Sequence, residues 1–79
     1  MAQVTLRYFA VLREQRGLDA EDMAVAEGTS VDALYRRVFP EQAAGGLRVG
    51  FAVNRQVVPA DHVLVDGDEL ALLPPLGGG

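Results

Sequence analysis

The chain has 79 residues, room for one small domain, and 49% of them are hydrophobic, enough for a single core. Eleven acidic residues against seven basic ones set the net charge at −4, and all seven basic residues are arginine, with no lysine anywhere. That balance offers no basic stripe for nucleic acid. The lack of cysteine excludes disulfides, Cys-ligated zinc, iron–sulfur centres and a thiol nucleophile. No apolar run approaches the roughly 18 residues that span a bilayer. The first residues show neither the basic region nor the apolar stretch of a signal peptide, so no membrane partner and a cytoplasmic location are expected. So small a core leaves no room for a large catalytic cleft. The chain alone is a poor enzyme candidate, and its chemistry is expected at the surface or inside a partner.

Residues 4–9 alternate apolar and polar, which predicts a half-buried strand with Val4, Leu6 and Tyr8 on one face and Thr5, Arg7 and Phe9 on the other. Ala10 to Arg16 predicts a short helix that stops at Gly17. Residues 23–26 predict a short strand. Thr29 or Ser30 can cap the main helix, in which Val31, Leu34, Tyr35 and Val38 form one apolar stripe and which Pro40 ends. Residues 42–46 read as a loop. A strand is expected over 48–53, a tight turn at Asn54-Arg55, a returning segment over 56–58, a second turn at Asp66-Gly67 and a last strand over 68–73. The sum is an α+β layer structure: a mixed sheet of four to five strands with one main helix across one face. If the first and last strands are central neighbours, Phe9 and Leu73 come together on the outer face as a docking patch. The alternative is that a loop of the same chain caps them.

The end of the chain is the most informative segment. From Leu70 to Gly79 no side chain is charged. Pro74 and Pro75 lack N–H donors, so they stop a sheet ladder and aim the chain outward. Leu76 offers one apolar anchor, and Gly77, Gly78 and Gly79 can thread a narrow channel because they have no Cβ. Residues 75–79 reach roughly 17 Å when extended. This divides the chain into a domain over 1–75 and a flexible Gly-rich tail over 76–79, with the last carboxylate held away from a rigid body. A carboxylate is ionised at pH 7 and a poor electrophile, so it needs activation, for example as an acyl-adenylate. A merely frayed end is the competing explanation.

These residues resemble the MoaD-like small subunits of molybdopterin synthase, which are β-grasp sulfur carriers related in fold to ubiquitin. The likeness runs through residues 8–14, 30–34 and 51–54, then through the block 66–75 and the ending Leu76-Gly77-Gly78-Gly79. It implies a β-grasp fold and a covalent role for Gly79. An adenylating enzyme of the ubiquitin-activating, E1-like kind (MoeB-like) would use ATP to activate that residue. A sulfur donor would make the thiocarboxylate, and the large synthase subunit (MoaE-like) would receive the tail. Sulfur would then pass to cyclic pyranopterin monophosphate during molybdenum cofactor biosynthesis. Within that picture Gly77 and Gly78 give passage and Pro74 and Pro75 orient the tail. Phe9, Arg13, Leu73 and Leu76 are candidate partner contacts. No cofactor is expected to be bound by the chain itself. A carrier for tRNA thiolation or thiazole synthesis, a protein modifier, and a β-grasp module with an inert tail remain alternatives.

Two other features have modest readings. His62, the only histidine, is expected to be a solvated or locally bonded loop residue, and Asp66 and Asp68 to serve turn geometry rather than a metal. The missing lysines mean that an activated Gly79 could not be captured by an ε-amine of its own chain.

Overall fold

The computed structural model describes residues 1–75. Its core follows from period-two strands laid under one period-3.6 helix. Strand β1 covers Ala2–Tyr8, and its residues Ala2, Val4, Leu6 and Tyr8 are all buried. Helix α1 follows at Ala10–Arg16 and ends at Gly17, whose φ of 75° a residue with a Cβ adopts only at a cost. Strand β2 spans Ala20–Val25 and returns antiparallel beside β1.

Helix α2, Val31–Val38, is capped by Ser30, whose Oγ accepts a hydrogen bond from the Ala33 N–H at 3.1 Å, while Asp32 sits in the first turn. Its stripe buries Val31, Leu34 and Tyr35 against the sheet, with Val38 partly buried beside them. Of the expected loop over 42–46, residues 42–44 are instead the end of a helix, α3, Pro40–Ala44, while Gly45 and Gly46 form the turn after it. Pro40 does end α2, but its fixed φ and missing N–H also suit the first position of a new helix.

Three strands complete the sheet: β3 at Gly50–Val53, β4 at Gln56–Val58 and β5 at Glu69–Leu73. Arg48 and Val49 therefore precede β3 rather than belong to it, and Asp68 precedes β5. Between β3 and β4, Asn54 and Arg55 adopt φ of 51° and 71°, the paired left-handed conformation of a tight hairpin turn. The sheet order is β2-β1-β5-β3-β4. β1 and β5 run parallel and the other neighbours antiparallel, so the sheet is mixed and has five strands. Tyr8, Phe39 and Tyr35 stack edge-on or tilted in the core, with Tyr8 and Phe39 ring centres 5.3 Å apart. No described helix is long and apolar enough to cross a membrane.

Candidate functional site

The parallel pairing of β1 with β5 builds the site. Its register sets Leu6 against Leu70 and Tyr8 against Leu72, all four buried under the helices. The alternate residues face the other way. Arg7 lies opposite Ala71, Ala71 opposite Ala52, and Ala52 opposite Val57, one row crossing four strands on the face without a helix. Small side chains in the middle of that row leave a shallow hollow of about 300 Å³, lined by Arg7, Phe9, Ala52, Arg55, Glu69 and Ala71. Arg7 Nη1 lies 3.7 Å from Glu69 Oε2 at its edge, an exposed pair of small energetic weight.

Phe9 and Leu73 stand at one end of this face. Each follows directly on the last paired residues, Tyr8 and Leu72, and each remains partly open to solvent, 39% for Phe9 and 38% for Leu73. Among the described residues, neither is fully covered by another part of the chain. Arg13 projects from α1 at the same end and lies 3.7 Å from Asp19. Pro74 is half-buried and Pro75 exposed where the chain leaves β5. Leu76, Gly77, Gly78 and Gly79, with the roles expected of them, lie outside the described residues.

Two polar clasps hold the platform in shape. Tyr8 Oη donates to Glu21 Oε1 at 2.6 Å, and Arg16 Nε donates to the same oxygen at 2.6 Å. Arg16 first, and Tyr8 next, hold the Glu21 carboxyl below the usual carboxylate range. Burial, reinforced by Glu21, pushes the Tyr8 phenol up. Since Tyr8 is on β1, Glu21 on β2 and Arg16 at the end of α1, this cluster ties the helix after Phe9 to the sheet. The second clasp links the β3–β4 turn to β5. Asp68, 7% exposed, accepts from Asn54 Nδ2 at 3.0 Å and from the Val65 N–H at 2.8 Å. Asn54 Oδ1 in turn accepts from the Glu69 N–H at 3.0 Å. Asp66 accepts from the Gln3 N–H at 2.7 Å and so ties its turn to β1, whereas Asp68 closes the turn itself through the Val65 N–H. The His62 backbone bridges to Val31 and Pro59.

A somewhat larger hollow, about 360 Å³, lies on the opposite side between α2, α3 and the segment entering β3. Asp32, Arg36 and Arg48 line it, and Arg36 Nε is already bound to Asp32 at 2.9 Å. It holds no nucleophile with an adjacent base, and the open sheet face is the better candidate. Among the described residues no group of three or more His, Asp or Glu side chains is placed to hold a metal ion.

The sequence reading missed the centre of the face. Ala52 and Ala71 form its floor, and Val57, 84% exposed, extends it to the edge strand. Strand alternation carried that signal, since Val57 must face opposite to its buried-side neighbours. Only the register, which has no local signature, puts it in line with Ala52.

Comparison with known proteins agrees with this architecture. The model of the ThiS family matches residues 6–79. The chain is 36% identical over 81 residues to the molybdopterin synthase sulfur carrier subunit of Escherichia coli strain K12, covering 96% of this chain and 99% of that protein. A putative molybdopterin converting factor subunit 1 from Pyrococcus furiosus superposes with a TM-score of 0.80 at 28% identity, covering 96% of this chain and all of that one. The fold also recurs, with a TM-score of 0.63 and 23% identity, in a complex of subunits 1 and 2 of molybdopterin-converting factor from Helicobacter pylori 26695, over 98% of this chain and 99% of that one.

Proposed function

The chain belongs to the ThiS family, and from that premise we propose that it is the sulfur carrier subunit of a molybdopterin synthase. The observation that carries this reading is the placing of β5. A central strand, locked on both sides, brings the chain out at the rim of the open sheet face, directly beside Phe9 and into Pro74-Pro75. A partner that grips this face receives whatever follows residue 75 in a fixed direction. Anchoring on a rigid platform is what lets a short reactive segment enter another protein's pocket at little orientational cost.

The proposed chemistry takes place at Gly79. Its carboxylate oxygen attacks the α-phosphorus of ATP on an adenylating enzyme, and pyrophosphate leaves. A persulfide on a donor protein then attacks the acyl carbon and AMP departs; a thiol cleaves the S–S bond of the resulting acyl disulfide, leaving the thiocarboxylate on Gly79 and a disulfide on the donor. In the large synthase subunit the sulfur passes to cyclic pyranopterin monophosphate, and two such deliveries supply the dithiolene. Gly77 and Gly78 admit the main chain to the narrow pocket because they carry no Cβ. Phe9 and Leu73 anchor the platform, Leu76 adds an apolar contact, and Arg13 stands at the rim. Binding of nucleic acid or membrane forms no part of this function, which is placed in the cytoplasm.

The test is the intact mass of the chain after incubation with ATP, an adenylating enzyme and a sulfur source. Replacement of one oxygen by sulfur, mapped to Gly79, is expected. An unchanged mass, where a known carrier is converted under the same conditions, overturns the reading. A carrier serving tRNA thiolation or thiazole formation, which the fold alone would also suit, is separated by offering the thiocarboxylated chain each acceptor in turn. Consumption of the pyranopterin alone supports the molybdopterin route.

A further inference from the structure

Resting on the carrier reading, we propose that Arg55 sets which large subunit the platform accepts, by pairing its guanidinium with a carboxylate on that partner. The residue stands in the tight turn between β3 and β4 with φ of 71°, a conformation that glycine takes freely and a residue with a Cβ takes only at a cost. Such a backbone persists where its surroundings enforce it. Here the neighbouring Asn54 does so. Its N–H donates to the Glu69 carbonyl at 2.9 Å, its Nδ2 donates to Asp68 at 3.0 Å, and its Oδ1 accepts the Glu69 N–H at 3.0 Å. Three bonds to the start of β5 thus hold the turn, and the Arg55 side chain leaves it from a fixed root, which lowers the cost of ordering it against a partner.

The charge at this place differs in sign from that of the chain. The whole chain carries −4, yet the hollow on the open sheet face is lined by two arginines, Arg7 and Arg55, against one carboxylate, Glu69. That carboxylate already lies 3.7 Å from Arg7. Arg13, Arg16 and Arg36 are likewise paired, with Asp19, Glu21 and Asp32. No ion pair among the described residues includes Arg55. Arg37 and Arg48 share that property, but neither has a left-handed backbone, and Arg48 lines the hollow on the opposite side. Arg55 alone combines an uncommitted guanidinium and a costly backbone with a place beside Phe9, Ala52 and Ala71. A partner that grips this face removes the guanidinium from water. It loses affinity if it leaves that charge unmatched, and gains if it brings a carboxylate, which the planar guanidinium can bind through two parallel hydrogen bonds.

The experiment titrates the unaltered chain, Arg55→Gly, Arg55→Asn, Arg55→Lys and Arg48→Asn calorimetrically into the isolated large subunit. Each titration is run at about 10 mM and about 1 M salt, where the screening length is roughly 30 Å and 3 Å. Glycine and asparagine both tolerate the left-handed conformation, so these two variants keep the turn while removing the charge. Both are expected to bind at least about fivefold more weakly at low salt, and the loss is expected to shrink below about twofold at high salt. Arg55→Lys, which keeps a charge without the planar fork, recovers part of the loss. Sulfur delivery by thiocarboxylated Arg55→Gly falls at low large-subunit concentration and matches that of the unaltered chain at saturation. Arg48→Asn makes the same charge change on the other side of the domain and binds within about twofold of the unaltered chain. The proposal is overturned if Arg55→Gly or Arg55→Asn binds within about twofold of the unaltered chain at low salt, if the loss is the same at both salt concentrations, or if Arg48→Asn loses as much. An unaltered chain that fails to bind the large subunit removes the carrier reading instead.

Discussion

Asn54 and Asp68 form a reciprocal clasp across the sheet: Asn54 Nδ2 donates to Asp68 Oδ1 at 3.0 Å, while Asn54 Oδ1 accepts the N–H of Glu69, the residue after Asp68. Asp68 is nearly fully buried, and its second oxygen also satisfies the Val65 N–H. Replacement by alanine removes both bonds, and because Asn54 and Val65 are exposed residues their freed N–H groups can turn to water. The loss is that of two hydrogen bonds at about 0.5–1.5 kcal/mol each, so Asp68→Ala is expected to destabilise by about 1–3 kcal/mol. A domain of this size loses about 4–8 °C in Tm per kcal/mol, and thermal unfolding followed by circular dichroism reads the loss directly. A fall below about 4 °C would refute the clasp's structural role.

The turn that carries Asn54 is strained at its second position. Arg55 has φ of 71°, a conformation costing a residue with a Cβ about 1–2 kcal/mol. Glycine removes that cost but loses more conformational entropy on folding. Arg55→Gly is expected to stabilise the domain by about 0.5 kcal/mol net, read as a higher denaturation midpoint in urea at unchanged slope. A lower midpoint would show that the guanidinium, at the edge of the open face, contributes more to the fold than its backbone costs.

What was legible before the structure, and what was not, divides along physical lines. Val4, Leu6 and Tyr8, the stripe from Val31 to Val38, Gly17 as a helix stop and Asn54-Arg55 as a turn all follow from local periodicity and turn chemistry, and all appear as read. The start of β2 does not. Ala20, Glu21 and Asp22 are poor strand formers, yet they pair with β1, and Glu21 is fixed by Tyr8 and Arg16. Helix α3 was hidden because Pro40 signals both an end and a beginning. For the site, Phe9 and Leu73 were legible from alternation, whereas the floor of Ala52, Ala71 and Val57 depends on long-range register. The expected roles of Leu76 and Gly77 to Gly79 rest on composition and resemblance.

The cluster of Tyr8, Glu21 and Arg16 makes stability depend on pH in a definite direction. The Glu21 carboxyl is held below its ordinary value by Arg16 and then Tyr8. Folding therefore gains from Glu21 ionisation above about pH 4.3, where an unfolded glutamate is charged, and the gain is lost as pH falls from there through the lowered folded value. At the alkaline end burial, then Glu21, raises the Tyr8 phenol, so its contribution is complete below about pH 10 and fades as pH rises beyond. A Tm-against-pH series comparing the native chain with Glu21→Gln is expected to show a gap at pH 7 that narrows below about pH 4.3. A gap constant from pH 7 to pH 3 would mean that the carboxylate charge is not what the cluster uses.

Phe9 and Leu73 are expected to dominate recognition by the large subunit. Both are large, partly exposed and fixed by adjoining strand pairs, Tyr8 with Leu72 and Leu73 with Gly50. Central apolar anchors of this kind commonly cost 2 kcal/mol or more when truncated. Phe9→Ala is therefore predicted to weaken binding by roughly 30-fold at least, measured calorimetrically against the isolated large subunit. Leu73→Ala is predicted to act in the same direction. Since neither side chain belongs to the buried core, each variant should retain a Tm within about 4 °C of the native chain, equivalent to under about 1 kcal/mol. Leu73→Ala also separates platform from chemistry. The acyl carbon of Gly79 is untouched, so thiocarboxylate formed in advance should survive intact while its delivery slows. If sulfur delivery at saturating large subunit falls as far as at low concentration, the residue acts on the transfer step, and the anchoring role assigned to this end of the sheet fails.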